Sequence, residues 1–293
     1  MEQHPEQQYL NLIDEILKNG FTETTRNGIT KSIFGYNMRF SLQDGCLPLL
    51  TTKKVAWKSC FKELMWFIKG STDNQELIDQ KVSIWNANST REFLDSRNLF
   101  NNEVNDLGPV YGHQWRHFNA KYINCKTDYT DQGIDQLQNI INLLQTKEGR
   151  QSRRLVMSAW NPCQIDEMAL PPCHVLIQFN VHQDKYLSCS LYQRSCDVGL
   201  GVPFNIASYS FLTHIIAKHC DLIPYQFVYF MGNAHIYENH IDAMKEQHTR
   251  SPYNFPKISI NNKFDNINDY TINNIDWVEP YNSHSTIKMD MSA

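Results

Sequence analysis

The chain has 293 residues, 41% of them hydrophobic and 20% charged, with 27 Lys+Arg against 31 Asp+Glu and a formal net charge of −4. That length allows one large domain or two ordinary ones with ample material for a core, and 12% aromatics with so modest a charge fraction exclude intrinsic disorder. Net acidity gives the long-range field the wrong sign for a general nucleic-acid or membrane-surface binder, while leaving room for a local basic pocket.

The eight cysteines stand at 46, 60, 125, 163, 173, 189, 196 and 220, with no CxxC pair to suggest a zinc ribbon or a thioredoxin-like motif. The start, MEQHPEQQ, lacks the basic-then-apolar pattern of a secretory signal, and no run of 18 apolar residues occurs. The expectation is a reduced, soluble, cytoplasmic protein whose cysteines pack as small hydrophobes unless something activates one.

In chain order, Tyr9, Leu10, Leu12, Ile13, Ile16 and Leu17 recur at helical spacing, and Lys18-Asn19-Gly20 stops the helix. Ser32 to Phe40 reads as a strand ending in a turn at Gln43-Asp44-Gly45. Thr51 and Thr52 are cap candidates for a helix from about Val55 to Ile68, closed by Gly70. The Asn-rich stretch 98–108 reads as a loop, and Ile134, Leu137, Ile140, Ile141 and Leu144 mark an amphipathic helix. Three short strands follow, at 155–160, 175–181 and 186–192, then a buried helix over 206–220 and an apolar strand over 226–231. The tail from Tyr281 reads as irregular. Strands and helices without βαβ alternation predict an α+β fold, and the absence of repeats or a Pro/Gly linker predicts one domain over 1–293.

Four segments could carry chemistry. In Leu170-Pro171-Pro172-Cys173-His174 two prolines immobilise the backbone ahead of a cysteine at the mouth of a strand. Its thiolate would be a soft nucleophile if cations lowered its pKa; the competing reading is a core cysteine beside a turn. The run from Gln193 to Asn205 leaves a strand, crosses a Gly-rich turn and enters a helix. Arg194 and Ser195 offer a planar fork and a hydroxyl to a phosphate, and Asn205 carries a donor and an acceptor that can read an imide edge. A surface turn capped by Asn205 is the alternative. Arg150, Arg153 and Arg154, with no acidic residue among them, suggest an anion site or simply solvated charge. In an extended segment His235 and Tyr237 share one face and could grip one hydroxyl. The histidines show no metal-binding spacing, so no metal is expected. Nucleophile, anion binders, imide reader and hydroxyl clamp together make an inventory for a pyrimidine nucleoside monophosphate.

Beyond these segments, the Thr25-Arg26-Asn27-Gly28 loop, Ser32-Ile33-Phe34-Gly35, Pro48-Leu49-Leu50-Thr51-Thr52-Lys53, Glu63-Leu64-Met65-Trp66-Phe67, Leu107-Gly108-Pro109-Val110-Tyr111-Gly112 and Ile287-Lys288-Met289 occur in this order. With them, nearly the whole sequence resembles the thymidylate synthase family, in the branch that uses a catalytic cysteine and methylenetetrahydrofolate. The region around Gln114-Trp115-Arg116-His117-Phe118 is closer to eukaryotic and large-DNA-virus members; a viral member would work in the host cytoplasm or nucleus.

The resemblance implies a mixed β-sheet packed with helices, sheets meeting at a dimer interface, and conversion of dUMP to dTMP. It implies attack by Cys173 on C6 of dUMP, with Arg194 holding the thiolate and the phosphate, and Arg26 and Ser195 also on the phosphate. Arg153 and Arg154 would reach the phosphate in the partner subunit's site, making an obligate homodimer. Asn205 would read O4 and N3–H of uracil, and His235 and Tyr237 the 3′-hydroxyl. Glu63, Tyr111 and His174 would organise protons around O4 and C5. For the folate, 5,10-methylenetetrahydrofolate, the implied contacts are Trp85 by stacking, Asp197 to the pterin, and Lys53, Ile84, Leu170, Leu200, Gly201, Phe204 and the terminal Ala293. No metal is required. The sequence departs from the family pattern at Asn233, where an aspartate is common, at Asn86 and Ser89, and in its Met-Ser-Ala ending. A pyrimidine hydroxymethylase, for dUMP or dCMP, is the alternative enzyme, disfavoured by Asn205. A non-catalytic RNA-binding relative is the other alternative; the net charge gives mRNA binding no support.

Overall fold

The computed structural model describes residues 3–291. Helix α1 (Gln7–Asn19) buries Tyr9, Leu10, Leu12, Ile13 and Ile16 on one face and ends at Gly20, which leaves the helical region. A two-residue turn at Arg26-Asn27 then joins β1 (Phe21–Thr25) to β2 (Gly28–Ser41), with Gly28 supplying a positive φ of 123°. Next come α2 (Trp57–Ile68), α3 (Asn74–Asp79), α4 (Arg91–Ser96), α5 (Tyr111–His117) and α6 (Gln136–Leu144). The second half holds β3 (Val156–Ser158), β4 (His174–His182), β5 (Tyr186–Asp197), α7 (Gly201–His219), β6 (Ile223–Tyr237), α8 (Ile241–His248), β7 (Lys257–Ile260) and β8 (Ile275–Glu279).

Six strands form one sheet in the order β1-β2-β6-β5-β4-β3, antiparallel throughout except for β5 and β6, which run parallel and are joined through α7. Strands β7 and β8 make a separate ribbon. Phe40 of β2, Phe227 and Tyr229 of β6, Leu187, Cys189 and Leu191 of β5 and Phe179 of β4 are buried on the face that α7 covers. Alternate residues on the other face, Val156, Leu176, Tyr192 and Phe230, stay exposed. The sheet and helices share one continuous apolar core. The ladder skips Gly35, Gly232 and Arg194, abreast on adjacent strands. A Cβ on Gly232 would lie 2.8 Å from the Arg194 carbonyl oxygen, so only glycine allows that approach.

Mixed helices and sheet agree with the predicted α+β class, and several boundaries differ from the sequence reading. Strand β5 runs on through Arg194 to Asp197, past the turn that the sequence predicts after Tyr192, because Ser195 to Asp197 pair with Asn233 to His235 of β6. Helix α7 starts at Gly201, so Asn205 sits inside it and caps nothing. Thr51 and Thr52 do not cap α2 either: its N-cap is Ala56, and both threonines are buried against Glu6. Strands β1, β7 and β8 have no counterpart in the sequence reading. From 280 to 291 the chain is irregular, as expected. Ala293, assigned to the folate, lies outside the described residues.

Candidate functional site

The site gathers where β5 and β6 run side by side beyond the skipped residues. Their parallel register sets Ser195 beside Asn233 and Asp197 beside His235. In a strand, alternate residues share a face, so Ser195, His235 and Tyr237 reach one cavity. That cavity, about 280 Å³, is also lined by Arg26 and Asn27 from the β1–β2 turn and by Glu23, Thr25 and Thr30. Asn233 Oδ1 lies 2.9 Å from His235 Nδ1. Burial lowers the pKa of His235, with Asp197 opposing; the neutral ring donates from Nδ1 and leaves Nε2 free to accept.

Cys173 stands just ahead of β4, the strand next to β5. The Arg194 N–H donates to the Cys173 carbonyl at 2.9 Å. The Arg194 side chain donates from Nε to the Pro172 carbonyl at 2.9 Å and from Nη2 to the Pro171 carbonyl at 2.8 Å. The two prolines therefore fix the backbone and also supply the acceptors that hold the cation beside the thiol. Burial pushes the Cys173 thiol up, and Arg194 pulls it back down by less. Charge stabilisation of a thiolate, expected from sequence, is thus present but outweighed in the unliganded chain. The Cys173 N–H donates to the Tyr111 hydroxyl at 2.7 Å.

Two further polar pairs stand around the thiol. Asn205 Nδ2 donates to His174 Nε2 at 2.7 Å. Burial drives the His174 pKa down to about 3, so the ring is neutral, accepts at Nε2 and carries its proton on Nδ1, an atom with no partner. This fixes the Asn205 amide with one N–H left for a ligand, and with room for a second donor on its carbonyl oxygen, which the Tyr229 hydroxyl meets at 3.5 Å. The Trp85 indole N–H donates to Glu63 Oε1 at 2.7 Å. Burial raises the Glu63 pKa to about 7 against that bond, which poises the carboxyl for proton transfer near neutrality.

Asp197 Oδ1 accepts the N–H groups of Gly199 (2.9 Å) and Leu200 (3.3 Å), closing the turn into α7. Lys53 donates to the Gly199 carbonyl; burial lowers its pKa to about 8, with Asp197 opposing. Ile84, Leu170 and Phe204 are half-buried apolar side chains packed against the core. Leu200 and Gly201 are also half-buried, at the start of α7.

Arg153 and Arg154 are not brought to this cavity. They are exposed on the segment leading into β3, at the opposite edge of the sheet from Arg26. Of the four predicted guanidiniums, Arg26 lines the cavity and Arg194 stands beside the thiol. Sequence reasoning missed Asn27 and Thr30, whose polar side chains on an edge hairpin give no local signal. It also missed His240, fully buried, whose Nε2 meets the Asp290 carbonyl at 2.7 Å and whose Nδ1 stands 4.0 Å from Asp197. Among the described residues no three His, Cys, Asp or Glu side chains converge as a metal ion would need, and no helix is long and apolar enough to cross a membrane.

A family model described as thymidylate synthase matches residues 7–293. The chain is 52% identical over 291 residues to the bifunctional dihydrofolate reductase-thymidylate synthase of Plasmodium chabaudi, covering 99% of this chain and 49% of that protein. It is 50% identical over 298 residues to the thymidylate synthase of Saccharomyces cerevisiae, covering 98% and 97%. It is 50% identical over 291 residues to that of Equine herpesvirus 2, covering 99% of each. The chain spans about half the length of the Plasmodium relative.

Proposed function

The chain belongs to the thymidylate synthase family, and from that premise we propose that it catalyses reductive methylation of dUMP to dTMP with 5,10-methylenetetrahydrofolate, yielding dihydrofolate. The observation that carries this reading is Cys173, held between Arg194 and the Tyr111 hydroxyl beside a fixed Asn205 amide. The cavity of Arg26, Ser195, His235 and Tyr237 takes the phosphate and sugar.

In this reading Cys173 Sγ attacks C6 of uracil while Asn205 accepts from N3–H and donates to O4. Negative charge developing on O4 is met by the Asn205 amide, and the neutral Glu63 carboxyl supplies a proton to that region. Tyr111, whose pKa is held well above the usual phenol value by burial, stays an O–H and assists proton removal at C5. The folate supplies the one-carbon unit and the hydride. Its fit rests on the half-buried apolar side chains Ile84, Leu170, Leu200 and Phe204, the Trp85 ring and the buried Lys53 ammonium beside Asp197. The chain's own part is to orient both ligands and exclude water.

The active unit in this reading is a homodimer of single-domain chains, 1–293, in the cytoplasm. Val156, Leu176, Tyr192 and Phe230 leave an apolar sheet face uncovered. Pairing that face with a second copy would carry Arg153 and Arg154 toward the partner's phosphate site. The test is a spectrophotometric assay with dUMP and dCMP in parallel. Dihydrofolate absorbance should rise with dTMP; hydroxymethylated product without dihydrofolate overturns the reading.

A further inference from the structure

Glu6 is fully buried at the start of α1 and lines no part of the nucleotide cavity. Its carboxylate accepts four hydrogen bonds from two successive residues. Oε2 takes the Thr51 N–H (2.8 Å) and hydroxyl (2.6 Å), and Oε1 takes the Thr52 N–H (2.8 Å) and hydroxyl (2.6 Å). A carboxylate offers about four lone-pair sites, so this one is saturated, and each bond is charge-assisted.

The carbonyls of the same two residues point to the C-terminal segment. Thr51 O accepts the His284 N–H at 2.7 Å. Thr52 O accepts Arg250 Nη1 at 2.9 Å, and the same nitrogen donates to Ser285 O at 2.8 Å. The next residue is Lys53, whose ammonium meets the Gly199 carbonyl in the turn that Asp197 closes. Beyond 285 the segment passes over that turn: a Cβ on Gly199 would lie 3.0 Å from Met289 Sδ.

We propose that Glu6 is a positioning residue for the folate side of the site, fixing the Thr51-Thr52 backbone so that Lys53 and the C-terminal segment are both held against the 197–200 turn. The proposal rests on the folate reading above. Glu6→Gln keeps the shape but places an amide N–H₂ against donors from Thr51 or Thr52. The phosphate and sugar cavity is built from the β1–β2 hairpin, β5 and β6 and shares no residue with this clamp.

The experiment compares Glu6→Gln with the unmodified chain in two measurements. In the turnover assay, KM for methylenetetrahydrofolate should rise roughly tenfold, about 1.4 kcal/mol, while the Kd for dUMP stays within twofold. In ligand-free protein, trypsin should cut after the exposed Lys288 several-fold faster; this readout needs no activity, so it separates failure of the clamp from failure of the folate reading. If Glu6→Gln does not fold, Thr52→Val, which removes one donor and keeps the carboxylate, should show both effects at smaller size. Equal losses for both substrates, or unchanged cleavage after Lys288, overturn the proposal.

Discussion

Replacing Asn205 by Asp tests the proposal that its amide reads uracil against cytosine. The Asn205 amide donates to neutral His174 at 2.7 Å, which in the proposed reading leaves one N–H for uracil O4 and a lone pair of the carbonyl oxygen for N3–H. In Asn205→Asp the bond to N3–H survives, but O4 faces an oxygen with no proton. An unsatisfied buried acceptor costs about 1–3 kcal/mol, so kcat/KM for dUMP should fall by a factor of about 5–150. The bond to His174 is lost with or without nucleotide, so it lowers folding stability and not this ratio. For dCMP, whose exocyclic amine is a donor, the same change removes a clash and kcat/KM should rise. The assay is steady-state turnover with each nucleotide, alongside thermal unfolding. A dUMP value within threefold of the unmodified chain, with no gain for dCMP, would refute the idea that this amide reads the base.

Other expectations follow from the site. Cys173→Ser should abolish turnover while dUMP still binds, measured by calorimetry. The Glu63 carboxyl has its folded pKa raised to about 7 from the ordinary 4.5, so the folded state binds the extra proton and stability falls as pH rises from 4.5 to 7; Glu63→Gln should flatten that part of the unfolding profile and slow turnover at least tenfold. The buried Lys53 runs the other way. Its pKa is lowered to about 8 from 10.5, so the unfolded state binds more protons and stability rises from pH 8 to 10.5; Lys53→Met should remove that rise in a pH series of melts. Mixing Arg153→Ala/Arg154→Ala chains with Cys173→Ser chains should restore activity in verified heterodimers, and no recovery counts against shared sites.

The residues legible in sequence were those whose chemistry is packed into short runs. Cys173 follows two prolines, and Arg194 to Asn205 carry charge, hydroxyl and amide within one turn of chain. Side chains that act through distant backbone were not legible. Glu6 meets Thr51 and Thr52 across more than forty residues, and no periodicity marks a buried carboxylate. Arg26 was legible only through the family resemblance, since it shares a cavity with His235 because β2 lies beside β6. The true start of α7 was hidden because the helix is buried nearly all round and shows no amphipathic stripe. Part of the tail's anchoring runs through its backbone, as in the His284 N–H to Thr51 and the Asp290 carbonyl to His240, and backbone groups carry no sequence signal.

The parallel pairing of β5 with β6 has a consequence for folding. Hairpins such as β1–β2 and β4–β5 close locally, but two parallel strands must wait for the whole of α7 to cross between them. Ser195 and Asp197 stand on one of these strands, His235 and Tyr237 on the other. A chain in which β6 has not docked therefore has no cavity, and nucleotide has nothing to hold in any half-assembled form. Ligand in the medium, at a hundred times its Kd, would favour only the completed sheet, by about 2.7 kcal/mol. Under the proposed function, nucleotide supply would bear on how much of the chain is assembled, as well as on how fast it turns over.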